Sequence, residues 1–196
     1  MKKTTGYLNI ILYATLAICV TAVVDHGNSA TLVDPSGTWL TEDGRARVRI
    51  ERCGAKQERV CGYIVWMEKP VDAKGRTLLD ENNPNPAKKS RPLLGHQLIM
   101  GLQPSTEWHF QGPIYNAENG QSYEISLWRE TTNKLKVKGC MLSVLCSTQT
   151  WAQANDVLSG QLQGTTGEAD GPKSDKEWAQ LISSKPASPT KAGATH

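Results

Sequence analysis

Two loop carboxylates are the clearest candidates for chemistry in this sequence. Asp72 and Asp80 lie in a segment rich in proline and asparagine, and a pair of carboxylates can act as general acid and general base in a hydrolase. The turn-forming residues around them give both carboxylates a simpler role in shaping a loop. His96, His109 and His196 are far apart in the sequence, and no Gly-x-Ser-x-Gly motif occurs. We therefore predict no enzymatic activity and no catalytic residues, with a hydrolase that uses the loop carboxylates as the less favoured alternative.

The cysteines are better suited to cross-linking than to catalysis. Besides Cys19 near the N-terminus, the chain has Cys53, Cys61, Cys140 and Cys146. An even number of cysteines in an exported chain indicates disulfides, and four cysteines allow three pairings. We favour Cys53–Cys61 and Cys140–Cys146, because each pair brackets a short, turn-prone loop. The cysteines lack C-x-x-C spacing and nearby histidines, so we predict neither a metal site nor a cofactor.

Aromatic side chains are the main candidates for ligand binding. The chain contains six tryptophans and one phenylalanine, and tryptophan and tyrosine combine a large apolar surface with one polar atom. The candidate ligand-binding set joins such residues to polar side chains: Trp66, Asp80, Asn83, Arg91, Tyr115, Asn116, Tyr123, Trp128 and Trp151. The alternative is that the aromatic members fill the core.

The N-terminus has the pattern of a targeting segment. Two lysines precede the mostly apolar run from Leu8 to Val24, and small residues follow. We predict a signal peptide over residues 1–30, with cleavage after Ala30 or Ala22. An uncleaved membrane anchor is the alternative, but the apolar run is shorter than the ~20 residues that span a bilayer. The protein is therefore predicted to be periplasmic or secreted in a bacterium, with no stable membrane span after cleavage.

The charge pattern bears on possible partners. The formal net charge is +3, and the lysines and arginines are scattered along the chain. Nucleic-acid binding requires a dense basic face, so we predict no nucleic-acid partner. We expect a monomer whose partner is a small ligand or a protein of the cell envelope.

The residue pattern in the middle of the chain predicts about eight short strands. From Arg45 to Glu51 the residues alternate, with Val48 and Ile50 on one side and the arginines on the other, which predicts a strand with one solvated face. Turn signals such as Asp43-Gly44 separate the strands at near-regular spacing. No convincing amphipathic helix lies between them. The pattern predicts one antiparallel barrel or sandwich over residues 31–156.

Two further segments break this strand pattern. Residues 68–92 are rich in proline, asparagine and aspartate, which predicts a long ordered loop. Residues 157–196 form a low-complexity tail, for which we predict disorder at 157–173 and 183–196 and a short helix at 174–182.

Several motifs, in one order, resemble the DUF2147 family of exported bacterial domains of unknown function. The matching stretches are Gly37-Thr38-Trp39, residues 61–66, residues 91–95, Ile114-Tyr115-Asn116 with Asn119-Gly120, residues 135–140 and the run from Leu145 to Trp151. The resemblance spans about residues 35–153 and implies a compact β-barrel-like domain without assigned catalytic residues. His96 stands where the family pattern is usually apolar, and the long tail is not part of the family's domain.

A weaker resemblance concerns the first strand alone. Gly37 and Trp39 match the Gly-x-Trp tripeptide that calycins carry at the strand closing the barrel floor. This resemblance implies an all-β, up-and-down, lipocalin-like barrel of about eight strands in which Gly37 and Trp39 are structural. We accordingly expect a non-enzymatic exported domain that binds a small ligand or an envelope partner. The alternative is an interaction or structural protein with a filled barrel.

Overall fold

The chain folds into an all-β barrel. The computed structural model describes residues 33–105, 109–141 and 145–175, so the predicted signal peptide and most of the predicted helix 174–182 lie outside the described residues. The strands are β1 (Gly37–Leu40), β2 (Ala46–Cys53), β3 (Arg59–Met67), β4 (Gln97–Pro104), β5 (Phe110–Asn116), β6 (Gln121–Thr131), β7 (Lys134–Met141) and β8 (Leu145–Gln153). Each pairs antiparallel with the next, and β8 pairs with β1 to close the barrel. The predicted up-and-down barrel is confirmed.

Alternation along the strands determines which side chains fill the interior. Successive side chains of a strand point to opposite faces of the sheet. In β2, Val48 and Ile50 are buried inside the barrel, and Leu127 of β6 and Leu135 of β7 face them. These residues form one apolar core cluster.

Trp39 lies in that core cluster at the start of the chain's first strand. Its side chain is 0% exposed, and its indole Nε1 donates a hydrogen bond to the carbonyl oxygen of Pro35 at 2.9 Å. The guanidinium carbon of Arg129 lies 5.2 Å from the centre of the indole ring, so a cation covers its face. Gly37, two residues earlier, has a φ of 139°, in the region that favours glycine. Together these contacts close the end of the barrel at which β1 begins.

Residues 154–175, here called the C-terminal strap, cover the outer face of β2 and β3. Arg47 donates hydrogen bonds to the carboxylate of Asp156 at 2.9 and 3.1 Å, and Arg49 donates to the carbonyl oxygen of Gly164 at 2.8 Å. Leu162 packs against a cluster of buried residues from β3, namely Cys61, Tyr63 and Val65. The strap therefore turns an outward sheet face into a second, smaller buried layer.

The strap corrects two sequence-based predictions. The outer face of β2 was predicted to be solvated, but Arg47 is only 6% exposed because the strap lies over it. Residues 157–173 were predicted to be disordered, but they have defined contacts with the barrel. Their polar composition is typical of disorder, and the order comes instead from arginine side chains of β2 that hold strap carbonyl and carboxylate oxygens.

Both favoured disulfides are present. Cys53–Cys61 links the ends of β2 and β3, and Cys140–Cys146 links directly opposed residues of β7 and β8. The long connection between β3 and β4 is an ordered loop, as predicted. It contains isolated bridges at Val71–Thr77 and Leu79–Pro92 and a short 3-10 helix at Pro86–Lys88.

In the described part of the chain, no helix has the length and apolar character needed to cross a membrane.

Candidate functional site

A cavity of about 940 Å³ occupies the half of the barrel away from Trp39. Its walls come from the ends of strands joined by the β1–β2, β3–β4, β5–β6 and β7–β8 connections, which all lie at one end of an up-and-down barrel. Apolar side chains make the inner wall: Leu98, Ile114, Ile125, Val137 and Trp151. A cavity of this size and lining is typical of small-molecule sites.

Polar side chains lie among these apolar residues on the β8 wall. Gln149 and Ser147 alternate with outward-facing residues on β8 and line the cavity. The amide oxygen of Gln149 accepts a hydrogen bond from Trp151 Nε1 at 2.9 Å, which holds the indole ring against the wall. The wall can therefore contact an apolar ligand and still offer hydrogen bonds.

Charged residues border the mouth of the cavity. Arg45, in the β1–β2 turn, lies 2.6 Å from Asp43 and 3.3 Å from Glu118 of the β5–β6 turn. These two turns are opposite one another in the order of eight strands, so the Arg45–Glu118 pair lies across the opening. Partial burial acts to raise the pKa of Asp43, but hydrogen bonds from Thr41 and Arg45 outweigh it and lower the pKa to about 2.

A buried polar cluster supports one side of the mouth. The carboxylate of Asp80 is 0% exposed, and its Oδ1 accepts a hydrogen bond from the hydroxyl of Tyr115 at 2.6 Å. Its Oδ2 accepts from Asn83 Nδ2 at 2.7 Å and from Arg91 Nε at 2.8 Å. We call these four residues the Asp80 cluster. It fixes the β3–β4 loop against β5, because Asp80, Asn83 and Arg91 belong to the loop and Tyr115 to the strand.

Burial and the hydrogen bond to Asp80 raise the pKa of Tyr115 to about 12. The Tyr115 hydroxyl therefore stays protonated at neutral pH and donates a hydrogen bond to the Asp80 carboxylate.

The C-terminal strap ends on the same cluster. Arg91 Nη1 lies 3.2 Å from the carboxylate of Asp175, and Lys88 Nζ lies 2.7 Å from it. The backbone N–H of Asp175 donates to the amide oxygen of Gln97 at 2.8 Å. The loop, the strap and the start of β4 therefore meet at Asp175.

His96 lies between the Asp80 cluster and the cavity. The residue is 5% exposed and lines the cavity, and its ring meets the ring of Tyr115 edge-on with centroids 5.4 Å apart. Arg91 Nη2 lies 3.3 Å from His96 Nε2. Burial, aided by the positive charge of Arg91, lowers the pKa of His96 to about 4. The imidazole is therefore neutral at neutral pH.

The low pKa of His96 predicts a stability change with pH. The folded-state pKa is below the ordinary value of 6.5, so the unfolded chain binds a proton first as the pH falls. Between pH 7 and pH 5, His96 alone is expected to lower the free energy of unfolding by about 2 kcal/mol. The charged groups near the ring are Arg91, Lys88, Asp80 and Asp175.

Urea unfolding of the wild type and of His96→Gln at both pH values measures this effect. The decrease should be largely absent from the variant, because glutamine does not titrate. An equal decrease in both proteins would contradict the assignment to His96.

The structure divides the candidate ligand-binding residues into three groups. Four of them line the cavity: Tyr115, Asn116, Tyr123 and Trp151. Asp80, Asn83 and Arg91 lie behind its wall in the Asp80 cluster. Trp66 faces away from the interior, where its Nε1 donates to the carbonyl oxygen of Ser159 in the strap at 3.2 Å, and Trp128 packs beside His109.

Sequence reasoning missed His96 and the aliphatic wall as parts of a site. The family resemblance marks His96 only as a polar residue at a usually apolar position, and the candidate ligand-binding set does not contain Leu98, Ile114, Ile125 or Val137. The available signal was positional, since an inward-facing residue near the open end of a barrel strand lines the interior.

The two loop carboxylates are each engaged by an arginine. Asp72 is paired with Arg76 at 2.6 Å, and Asp80 with Arg91 at 2.8 Å. Across residues 33–105, 109–141 and 145–175, no group of three or more histidine, cysteine, aspartate or glutamate side chains could hold a metal ion.

Comparison with solved structures gives a lipocalin-like neighbour. A protein from Helicobacter pylori, described as belonging to the lipocalin family, superimposes with a TM-score of 0.51 at 19% sequence identity. The match covers 63% of this chain and 85% of that one. At this identity the likeness concerns the fold, which is the lipocalin-like barrel.

Comparison with protein families gives the chain's membership. None of the curated proteins compared with the chain matches it. Residues 37–153, which include all eight strands, match a family described as an uncharacterized protein conserved in bacteria. The chain belongs to the DUF2147 family.

Proposed function

We propose that this protein is an exported, non-enzymatic binding protein that holds a small, mostly apolar ligand inside its barrel. The observation that carries the proposal is the cavity of about 940 Å³ in a barrel whose opposite end is filled. Cavities of roughly 300–1,000 Å³ with mainly apolar walls suit ligands of drug-like size. An interaction or structural protein with a filled barrel, which is the alternative, would have no space of this kind.

The walls support a ligand with an apolar body and a polar end. Apolar contact comes from Leu98, Ile114, Ile125 and Val137. Of these, Leu98 and Ile114 also pack against the core cluster at the inner end. The charged residues Asp43, Arg45 and Glu118 keep the mouth hydrated. Burying apolar ligand surface contributes roughly 25 cal/mol per Å² before the costs of association. The geometry therefore favours a ligand that enters with its apolar part first.

Two disulfides support an exported location, either the periplasm or the medium. Disulfides persist in oxidising compartments and are rare in the cytosol. The predicted signal peptide at residues 1–30 agrees with this location.

Binding of a neutral apolar dye tests the proposed function. We expect N-phenyl-1-naphthylamine to bind saturably with one site per chain, because the described barrel is filled at its Trp39 end and has its cavity at the other end. In methyl-labelled protein, the NMR signals of Leu98, Ile114, Ile125 and Val137 should shift during the titration, whereas that of Leu162, which belongs to the strap and packs on the outside of the barrel, should not. No saturable binding, or shifts confined to the outer surface, would contradict the proposal.

A further inference from the structure

The hydrogen bonding of His96 determines which of its nitrogens carries the proton. A guanidinium group can only donate, so Arg91 Nη2, 3.3 Å from His96 Nε2, requires that nitrogen to accept. Since the ring is neutral, its single proton lies on Nδ1. No residue in the described ranges accepts a hydrogen bond from that N–H, although the side chain is 95% buried.

His96 is also on the cavity wall, close to the mouth. It directly precedes β4, two residues before Leu98, and both residues line the cavity. The contact with Tyr115 and the hydrogen bond from Arg91 hold the ring in place. His96 Nδ1 is not among the fully buried side-chain atoms that lack a hydrogen-bond partner, which in the described residues are Arg47 Nε and Arg49 Nε, so a ligand or water can reach it and accept its hydrogen bond.

The cations behind His96 already have carboxylate partners. Within the described residues, Arg91 pairs with Asp80 and Asp175, and Lys88 also pairs with Asp175. An anionic group brought against His96 would therefore be buried without a compensating cation, which is unfavourable. An uncharged oxygen has no such penalty and can accept the hydrogen bond.

We propose that His96 is a specificity-determining residue whose Nδ1–H donates a hydrogen bond to an uncharged oxygen of the ligand, such as that of a ketone, ester or amide. This inference rests on the proposed binding function and narrows its ligand class. The oxygen lies near the mouth beside Tyr115, and the apolar remainder of the ligand extends toward Ile125 and Val137. Arg91 acts as a positioning residue, because it sets the tautomer without touching the ligand.

Three probes with ten carbons each test this class in competition with N-phenyl-1-naphthylamine. Butyrophenone has an uncharged carbonyl oxygen, butylbenzene has no oxygen, and 4-phenylbutyrate has a carboxylate. In His96→Phe, which keeps a ring beside Tyr115 but lacks the N–H, butyrophenone should bind about three- to tenfold more weakly. Butylbenzene should change less than about twofold, because its apolar contacts remain. His96→Gln, which can accept from Arg91 and donate to the ligand, should restore part of the affinity for butyrophenone.

A second measurement uses the wild-type protein and does not depend on how the variants fold. Long-range ¹H–¹⁵N NMR of the imidazole should show a proton on Nδ1, and the Nδ1 signal should shift more with butyrophenone than with butylbenzene. A proton on Nε2, or an equal loss for both neutral probes in His96→Phe, would overturn the inference and leave the proposed function standing.

Two further outcomes distinguish a wrong ligand class from a wrong proposed function. Tighter, His96-dependent binding of 4-phenylbutyrate than of butyrophenone would replace the uncharged oxygen with an anion and so overturn the assigned ligand class. Failure of the dye and of all three probes to bind would reject the proposed function itself, and the inference with it.

Discussion

Replacing Asp80 with alanine is expected to lower the free energy of unfolding by about 3 kcal/mol, because it leaves the partly buried cation of Arg91 without its main partner. Asp80 is 0% exposed, and its loss removes the acceptor for Arg91 and for the hydroxyl of Tyr115. Of its two carboxylate partners, Arg91 would keep only Asp175, at 3.2 Å. Urea unfolding monitored by tryptophan fluorescence, with both disulfides intact, measures the change.

Two controls separate the buried charge from general effects of mutating this loop. Asp72→Ala removes a carboxylate from an exposed ion pair with Arg76 in the same loop, and its effect should be much smaller, because exposed pairs contribute little. The double variant Asp80→Leu/Arg91→Met removes both charges of the pair and should lose less stability than Asp80→Ala. Equal losses for Asp80→Ala and Asp72→Ala would show that the Asp80 cluster does not hold the loop.

The strands could be predicted from sequence because their signals are local. Alternation placed Val48 and Ile50 inside, and both disulfides followed from the short loops that Cys53–Cys61 and Cys140–Cys146 bracket. Such patterns depend on neighbours a few residues away, and the physics of a half-buried strand imposes them directly. Closure of the barrel by β1 and β8 was inferred from the resemblance to calycins, since a sandwich has the same local alternation.

The strap and its contact with the Asp80 cluster could not be predicted because these contacts are distant in sequence. Arg47 meets Asp156 across 109 residues, and Arg91 meets Asp175 across 84 residues. Composition alone made the strap resemble a disordered tail, since it has few apolar residues. The strap is ordered because arginine side chains of β2 donate hydrogen bonds to its oxygen atoms. The local pattern had predicted that these arginines face solvent.

Whether a candidate ligand-binding residue faces the cavity also depends on structure that the residue types do not reveal. Aromatic residues of inward-facing strand positions, such as Trp151, line the cavity, whereas Trp66 faces outward because β2 and β3 pair with a register shift beside Arg47. A β-bulge reverses which face a side chain occupies, and residue types alone did not reveal it. His96 became interpretable only when the position of Arg91 was known.

Gly139 offers a way to fill the cavity without disturbing the barrel. It lines the cavity on β7, and its backbone does not adopt the left-handed conformation that favours glycine. A Cβ atom built there lies 3.6 Å from Ile125 Cγ2, an ordinary contact. A large side chain at this position would project into the space that a ligand would use. The neighbouring Lys138 is exposed on the outer face of the same strand, so it serves as a matched control.

Titration of the wild type, Gly139→Trp and Lys138→Trp with N-phenyl-1-naphthylamine is the most direct test of the cavity as the binding site. Gly139→Trp is expected to raise the Kd by at least about tenfold, which corresponds to about 1.4 kcal/mol. Lys138→Trp should bind as the wild type does, because its indole lies outside the barrel. Both variants should retain the far-UV circular dichroism of the wild type. Unchanged affinity in a folded Gly139→Trp protein would contradict the account, because the ligand would then bind somewhere other than the barrel interior.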